Sequence, residues 1–256
     1  MTIALVEMPI LRLDVYRAVL TEPDPNTPQV STEDLLRILA DGSAIVLDSR
    51  KRAEYVAGHI AGARNVAPSP GAPPQEYAAA VERLVGGDKS SPLVIYCNGQ
   101  FCKAGRRLSS QLVEFGFTNV RRFQLGIPIW RALGGPVEIE LEGIVRIFGV
   151  DRTAVYFDAR PAAEFARGTI TGAHNVPADA LNDDILEKAP LPRNDFNTRL
   201  IIFGRDGTQA RVLADAIGKT PYQNVSYFPG PFEELLKAVP GPIEPCICLL
   251  FPPART

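Results

Sequence analysis

The chain has 256 residues, of which 46% are hydrophobic and 22% charged, so it is long enough for one or two domains with buried cores. Its formal net charge of -2 argues against a nucleic-acid partner, because binding phosphates needs a basic excess. No apolar run approaches the roughly 20 residues needed to span a bilayer, so a membrane partner is not expected.

The cysteines and the N-terminal segment bear on the cellular compartment. Four cysteines in a chain of this length are too sparse for a disulfide framework. Residues 1–17 carry no basic region ahead of their apolar residues and no small-residue cleavage site, so they do not resemble a signal peptide. We therefore expect a cytoplasmic protein.

The first predicted helix begins at Ser31, where the sequence Ser-Thr-Glu-Asp is typical of a capping box, and it ends at Gly42. A short apolar run over 44–47 predicts a buried strand. A loop rich in proline and glycine follows over 68–74, and the pattern over 76–85 predicts the next helix.

Further strands and helices alternate along the rest of the chain. A second buried strand is predicted over 93–96, then a helix with Leu108, Leu112 and Phe115 on one face, then a third strand over 120–123. The same succession of strands recurs over 154–157, 200–203 and 225–228. This alternation predicts an α/β fold whose mostly parallel sheets are covered by helices on both faces.

One sequence motif occurs twice. The first copy, IVLDSRKRAEYVAGHIAGARNV, spans 45–66, and the second, VYFDARPAAEFARGTITGAHNV, spans 155–176. At a constant offset and without a gap, Asp48, Arg50, Glu54, Gly58, Ile60, Gly62, Ala63, Asn65 and Val66 recur as Asp158, Arg160, Glu164, Gly168, Ile170, Gly172, Ala173, Asn175 and Val176. A period this long indicates two whole domains rather than the short units of a solenoid.

The repeat sets the expected domain organisation, with the boundary between Pro136 and Gly143. We expect an N-terminal extension over 1–29, a first domain over 30–138, a second domain over 139–245 and a tail over 246–256. Because Asp48, Arg50 and Glu54 recur in both copies, we interpret them as an internal polar network that fixes the turn. The two histidines, His59 and His174, do not recur as histidines, and we expect both to support the fold rather than act as bases.

Position 97, directly after the predicted strand over 93–96, is a cysteine. In open α/β sheets, ligands bind beyond the carboxyl ends of strands, where amides at the start of the next helix face the solvent. Such amides and the helix dipole favour the thiolate, which is the nucleophilic form of cysteine. We therefore expect Cys97 to be the catalytic residue, the alternative being a buried structural cysteine.

The loop that follows Cys97 supplies the candidate substrate-binding residues. These are Asn98, Gly99, Gln100, Phe101, Cys102 and Lys103. Lys103 begins a basic first turn with Arg106 and Arg107, against the usual preference for acidic residues at a helix start. An anion held in the loop would explain this placement, and we expect Arg106 and Arg107 to have an auxiliary role. The alternative is that all three are solvated cations.

The motif of the first copy, a cysteine ending the next core strand, and Gly126-x3-Trp130 ahead of Gly135-Pro136 together resemble the rhodanese superfamily. The resemblance covers about 30–136 and, more weakly, 145–244. It implies two tandem rhodanese-like domains and a sulfurtransferase in which Cys97 accepts a sulfane sulfur as a persulfide. It also implies a donor such as thiosulfate, mercaptopyruvate or a persulfide, an acceptor such as cyanide, a thiol or a protein, and no cofactor or metal.

The chain departs from the family pattern in two respects. Tandem members usually keep the active cysteine in the C-terminal copy, whereas here the position equivalent to Cys97 is Gly204. The second copy is therefore expected to be inactive. The common single-domain loop resembles Cys-x-x-Gly-x-Arg, but Gly99 comes one position early and Cys102 occupies the sixth position.

The remaining cysteines admit two interpretations each. Cys102 is either a resolving thiol that closes a disulfide with Cys97 or a small residue at a crowded helix start, and the sequence favours the second. A disulfide also needs Cα atoms within about 7 Å, which a loop sequence does not guarantee. Cys246 and Cys248 lack enough partners for a zinc site, so we expect the tail around them to dock on a domain through its apolar residues.

Two other function classes compete with a sulfurtransferase. A dual-specificity or arsenate-reductase-like phosphatase resembles Cys-x5-Arg, but the required arginine is Lys103, which lacks the planar fork that grips a phosphoryl group. Tyr96 also replaces the histidine that such loops often have before the cysteine. A non-catalytic persulfide carrier or interaction module remains an open alternative, because a carrier and an enzyme need the same thiolate.

Overall fold

A computed structural model describes residues 27–69, 71–100 and 102–239. The first half contains α1 (Thr32–Asp41), β1 (Ile45–Asp48), α2 (Arg52–Val56), β2 (His59–Ile60), β3 (Arg64–Asn65), α3 (Pro74–Leu84), β4 (Leu93–Tyr96), α4 (Lys103–Glu114), β5 (Val120–Phe123) and α5 (Gly126–Ala132). The second half contains β6 (Val137–Glu138), α6 (Leu141–Arg146), a π-helical turn (Ile147–Asp151), β7 (Ala154–Asp158), α7 (Ala162–Phe165), β8 (His174–Asn175), a 3-10 turn (Ala178–Ala180), α8 (Asp183–Lys188), β9 (Arg199–Phe203), α9 (Gly207–Gly218), β10 (Val225–Tyr227) and α10 (Phe232–Ala238). None of the helices described here is long and apolar enough to cross a membrane.

Helix α1 begins and ends where its sequence predicts. The Ser31 hydroxyl accepts a hydrogen bond from the Asp34 amide, and the Asp34 carboxylate accepts one from the Ser31 amide, which completes the capping box. Gly42 ends the helix with a left-handed backbone (φ +66°), a conformation that costs glycine little. The helix packs its buried residues Leu35 and Ile38 against the first sheet.

The strands form two sheets, one for each copy of the motif. The first has the order β3-β1-β4-β5 and is parallel throughout. The second has the order β2-β6-β10-β9-β7-β8 and is parallel except for the β2–β6 pair. The predicted fold class, a doubled α/β unit with mostly parallel sheets, is confirmed.

Strand β4 lies in the middle of the first sheet and is covered on both faces. Val94 and Tyr96 pack in the core under α1 and α5, whereas Leu93 and Ile95 pack in the core under α3 and α4. All four residues are buried, which is why the strand reads as an unbroken apolar run instead of an alternating one. The strand therefore ends in a fixed position, and the site begins at its last residue.

The two copies are joined through a pair of short strands. Strand β2 of the first copy pairs with β6, which extends the sheet of the second copy. Beside this pair, His59 Nε2 lies 3.3 Å from Glu138 Oε2, and the Tyr227 hydroxyl donates to Glu138 Oε1 at 2.8 Å. Burial alone would raise the pKa of Glu138, but hydrogen bonds from His59, Tyr227 and the Gly62 amide outweigh it and lower this pKa. His59 thus has a structural role, as predicted.

Candidate active site

Cys97 follows β4 directly and lies at the carboxyl edge of the first sheet. Asp48, the last residue of β1, pairs in register with Tyr96, the last residue of β4. The Ser49 amide and hydroxyl both donate to the Tyr96 carbonyl, at 3.1 and 2.7 Å, and the Ile127 amide donates to the Cys97 carbonyl at 3.2 Å. These bonds hold the backbone on both sides of Cys97, whose exposed fraction is 7%.

A buried polar network lies beneath this edge of the sheet. The Arg50 side chain donates to both carboxylate oxygens of Asp48, at 2.6–3.1 Å, and to the Gly58 carbonyl at 2.8 Å. The Tyr96 hydroxyl donates to Asp48 at 2.6 Å and accepts from the Ile60 amide at 3.0 Å. Burial raises the pKa of Tyr96 well above its usual value, and the Asp48 carboxylate raises it further, so the hydroxyl remains a donor. The predicted network of Asp48 and Arg50 is confirmed.

Glu54 does not belong to that network, and this part of the expectation is wrong. It lies exposed on α2, and its carboxylate accepts a hydrogen bond from the Asn98 side chain at 2.7 Å. In the second copy, the equivalent Glu164 forms an ion pair with Arg205 in the corresponding loop. The repeated glutamate therefore contacts the loop after the strand in both copies.

The loop from Cys97 to Cys102 leaves several amides available. The Cys102 amide donates to the Gly99 carbonyl at 2.9 Å, which closes a turn in which Gly99 has a φ of +102°. Within the described residues, the amides of Asn98, Gly99 and Gln100 donate to no backbone carbonyl. Helix α4, which follows, has no side-chain cap at Cys102. The three amides and the start of α4 therefore have no backbone or capping acceptor among the described residues.

Cys97 and Cys102 are joined by a disulfide, with their Cα atoms 6.3 Å apart. The favoured expectation that Cys102 is only a small residue at a crowded helix start is therefore wrong. The turn at Gly99 brings the Cα atoms within the range that a disulfide requires. In this state the cavity around the two sulfurs measures about 10 Å³, which is no more than the space of about one water molecule.

Most of the other residues predicted for substrate binding are exposed. Asn98 and Gln100 are exposed, and Phe101 lies outside the described residues. Lys103 is also exposed, as are the two auxiliary arginines Arg106 and Arg107. Across the described ranges, no group of three or more histidine, cysteine, aspartate or glutamate side chains could hold a metal ion.

Two polar residues that the sequence did not single out support the loop from β5. The Gln124 side chain donates to the Gln100 carbonyl at 2.9 Å and accepts from Arg122 at 2.6 Å. Arg122 is 1% exposed and also donates to the Thr27 hydroxyl at 2.9 Å. The only sequence signal for these contacts was an arginine inside the predicted third strand.

Gly126, the first residue of α5, lies against the backbone of the loop. It has a φ of +65°, and a Cβ atom there would lie 2.3 Å from the Gly99 nitrogen and 2.4 Å from the Cys97 carbonyl oxygen. Both neighbours are backbone atoms, so neither can move without shifting the loop. Glycine is therefore required at the first position of the Gly126-x3-Trp130 motif, because only a residue without a Cβ atom can lie this close to the loop backbone.

The resemblance to the rhodanese superfamily implies sulfur loading at Cys97, and Gly126→Ala is expected to displace the loop and to slow that loading of the reduced protein by about a hundredfold, because a shift of about 1 Å in a reacting group has effects of that size. Gly86→Ala is the matched control. Gly86 has a similar φ of +63°, but nothing lies within 4 Å of the Cβ position. The control should cost about 1–2 kcal/mol of stability and leave loading unchanged. Equal loading by both variants would show that this contact is unimportant.

The corresponding loop of the second copy is closed by its own side chains. Asp206 caps α9 by accepting from the Gln209 amide at 2.9 Å, and Gln209 Oε1 accepts from the Arg205 amide at 2.9 Å. Gly204 follows β9 as Cys97 follows β4, but a Cβ there would lie 2.9 Å from the Ala210 nitrogen. This loop has no cysteine, and two of its amides, those of Arg205 and Gln209, already donate to side chains of the loop itself.

Gly204→Cys is therefore expected not to create a second sulfur-accepting site. The measurement is peptide mapping by mass spectrometry after incubation with a sulfane donor, in a Cys97→Ser background. The Cys102→Ser chain, in which Cys97 is intact and no second loop thiol is present, serves as the positive control for loading. A persulfide on the introduced thiol would contradict the interpretation of the second loop as closed.

Comparison with known proteins gives matches over both copies. The family model of the Rhodanese-like domain matches residues 31–133 and 149–238. The HTH-type transcriptional regulator Rv0324 of Mycobacterium tuberculosis is 30% identical over 109 residues, which are 43% of this chain and 44% of that protein. This chain thus spans less than half the length of that curated relative.

Solved structures to which this chain is similar include a sulfotransferase and a sulfurtransferase. The 3-mercaptopyruvate sulfotransferase SseA of Escherichia coli is 23% identical, with a TM-score of 0.37, over 80% of this chain and 98% of that one. The thiosulfate sulfurtransferase of Pseudomonas aeruginosa is 18% identical, with a TM-score of 0.37, over 80% of this chain and 41% of that one.

Proposed function

The chain belongs to the rhodanese-like domain family, and on that premise we propose that it is a sulfurtransferase whose nucleophile is Cys97. A sulfane sulfur moves from a small anionic donor to Cys97, which becomes a persulfide, and then to a thiophilic acceptor. The donor is thiosulfate, mercaptopyruvate or a low-molecular-weight persulfide. The acceptor is cyanide, a thiol or a protein thiol.

One observation carries this proposal: the buried Cys97 follows the central strand β4 and opens a loop with unused amides. The amides of Asn98, Gly99 and Gln100 donate to no backbone carbonyl in the described part of the chain, and α4 begins without a side-chain cap. Such donors stabilise the thiolate before the reaction and the terminal sulfur anion after it. The exposed Lys103 and its neighbours Arg106 and Arg107 favour the approach of an anionic donor.

The chemistry requires the reduced chain, because a sulfur in a disulfide is not a nucleophile. With thiosulfate as donor, the Cys97 thiolate attacks the outer sulfur. The bond between the two sulfurs of thiosulfate breaks, and sulfite leaves with its electron pair. The outer sulfur remains on Cys97 as a persulfide anion. In the second half-reaction the acceptor attacks that sulfur and regenerates the thiolate, which is ping-pong catalysis.

The test is intact mass spectrometry of the reduced full chain carrying Cys102→Ser, in which no second thiol lies beside Cys97, after a short incubation with thiosulfate, 3-mercaptopyruvate or a low-molecular-weight persulfide. We expect a mass gain of one sulfur atom that maps to Cys97 and disappears on addition of cyanide. A steady-state assay with thiol acceptors then separates an enzyme, which turns over many times, from a carrier, which does not. Failure of all three donors to load the reduced chain would overturn the proposal.

A further inference from the structure

The disulfide between Cys97 and Cys102 leads to a second activity at the same loop. We propose that Cys102 resolves the Cys97 persulfide, so that the protein releases its sulfane sulfur as hydrogen sulfide and closes the disulfide. This inference rests on the proposed function, since it begins from the persulfide. It assigns to Cys102 a chemical role that sulfur transfer to an external acceptor does not need.

The step balances in atoms and electrons. The Cys102 thiol, which loses its proton to the leaving group, attacks Sγ of the Cys97 persulfide. A bond forms between the two cysteine sulfurs, and the bond between Cys97 Sγ and the outer sulfur breaks. The outer sulfur leaves as hydrosulfide with the electron pair. The sulfane sulfur is thus reduced to sulfide, and the two cysteine thiols are oxidised to the disulfide.

The geometry of the loop favours attack at the inner sulfur. The hydrogen bond from the Cys102 amide to the Gly99 carbonyl turns the chain so that the two Cα atoms lie 6.3 Å apart, and the structure joins Sγ of Cys97 to Sγ of Cys102. Gly105, the third residue of α4, leaves room for this contact, because a Cβ there would be 3.3 Å from the Cys97 Cβ. The resolving thiol therefore belongs to the same short loop as the persulfide, which gives it a high effective concentration.

Closure of the disulfide also ends sulfur acceptance until the loop is reduced. The cavity between the two cysteines and β5 is about 10 Å³ in the closed state, too small for a donor such as thiosulfate. Cys97 is 7% exposed, whereas Cys102 is only partly buried. A dithiol reductant therefore reaches Cys102 more readily, forms a mixed disulfide there and releases the Cys97 thiolate. One cycle consumes a sulfane sulfur and a dithiol, and yields sulfide and the oxidised dithiol.

A single-turnover experiment tests this step without any external thiol, which would itself release sulfide. The full chain carries Cys246→Ser and Cys248→Ser, so that the loop cysteines are its only thiols. It is reduced, freed of reductant under anaerobic conditions and given thiosulfate in slight excess. Liberated sulfide is measured, and the protein mass is recorded. The matched variant adds Cys102→Ala, and a second variant adds Cys102→Ser to keep a polar side chain of similar size.

We expect one sulfide per chain with the loop intact, together with a protein mass two hydrogens below that of the reduced chain. Both Cys102 variants should instead hold the extra sulfur atom on Cys97 and release less than about a tenth as much sulfide, because the intramolecular route is missing. Three results overturn the inference. These are a stable persulfide in the chain with the intact loop, a disulfide that closes without donor, and equal sulfide release after removal of Cys102.

The two proposals fail in different ways in this experiment. If the Cys102 variants load sulfur while the intact loop neither releases sulfide nor closes, sulfur acceptance stands and the resolving role of Cys102 is rejected. If no variant gains sulfur from thiosulfate, and the reduced chain also gains none from 3-mercaptopyruvate or a low-molecular-weight persulfide in the separate loading test, the proposed function itself is rejected, and the resolving step is rejected with it.

Discussion

Replacing Cys97 by serine is expected to abolish sulfur transfer from every competent donor, with a loss on the order of a thousandfold or more, because no other group forms the covalent intermediate. Serine keeps the size of the side chain but is far less nucleophilic than a thiolate at neutral pH. The measurement is the rate of thiocyanate formation from thiosulfate and cyanide by the reduced full chain. Retained turnover would reject Cys97 as the nucleophile.

The control for this substitution must account for the disulfide, which Cys97→Ser also removes. Cys102→Ser removes the same bond and leaves Cys97 in its position after β4. With cyanide as acceptor, the Cys102 variant should keep its activity, because cyanide attacks the terminal sulfur directly. Equal losses in the two variants would mean that disturbance of the loop, and not removal of the nucleophile, explains the loss. The urea midpoint of each variant separates a loss of folding from a loss of chemistry.

The strands that could be predicted from the sequence are those whose own residues form a recognisable local pattern. Strand β4 lies over its predicted residues, because a short apolar run bounded by turn residues marks a buried strand. Strand β5 also lies over its predicted residues, although two of its four residues are arginines. Strands β2 and β6, of two residues each, were not predicted. Two residues have no periodicity, and these strands exist only because the chain pairs residues that are far apart in sequence. The pairing of β2 with β6, which connects the two copies, was therefore not predictable from the sequence.

The candidate site was predictable in position but not in its contacts. The position of Cys97 follows from topology, since ligand loops follow the carboxyl ends of parallel strands. The contact between Cys97 and Cys102 depends on a turn with a positive φ at Gly99, and no local pattern reports the resulting Cα separation. The burial of Arg122 was likewise not predictable from a local sequence pattern. It is buried because residues before α1 run beside β5, where the Arg122 amide donates to the Pro28 carbonyl.

Asp48→Ala is expected to lower the free energy of unfolding by about 3–5 kcal/mol, which is the usual cost of removing one partner of a buried ion pair. Asp48 is 0% exposed and Arg50 7%. Without the carboxylate, the Arg50 guanidinium loses its buried counter-charge but keeps its hydrogen bond to the Gly58 carbonyl, and the Tyr96 hydroxyl loses its Asp48 acceptor. The measurement is urea denaturation of the reduced chain. Asp48→Asn, which retains an acceptor, should cost less.

The second copy provides the comparison that separates stability from chemistry. Asp158 is bonded to Arg160 with nearly the same geometry, so Asp158→Ala should destabilise its own domain by a similar amount. Only the first network, however, includes Tyr96, the residue directly before Cys97. Asp48→Asn should therefore slow sulfur loading as well, whereas Asp158→Asn should not. Glu82→Ala, which removes an exposed ion pair with Lys89, should cost about 1 kcal/mol or less. Equal effects of the two aspartate variants on loading would mean that the network under Cys97 supports the fold without positioning the nucleophile.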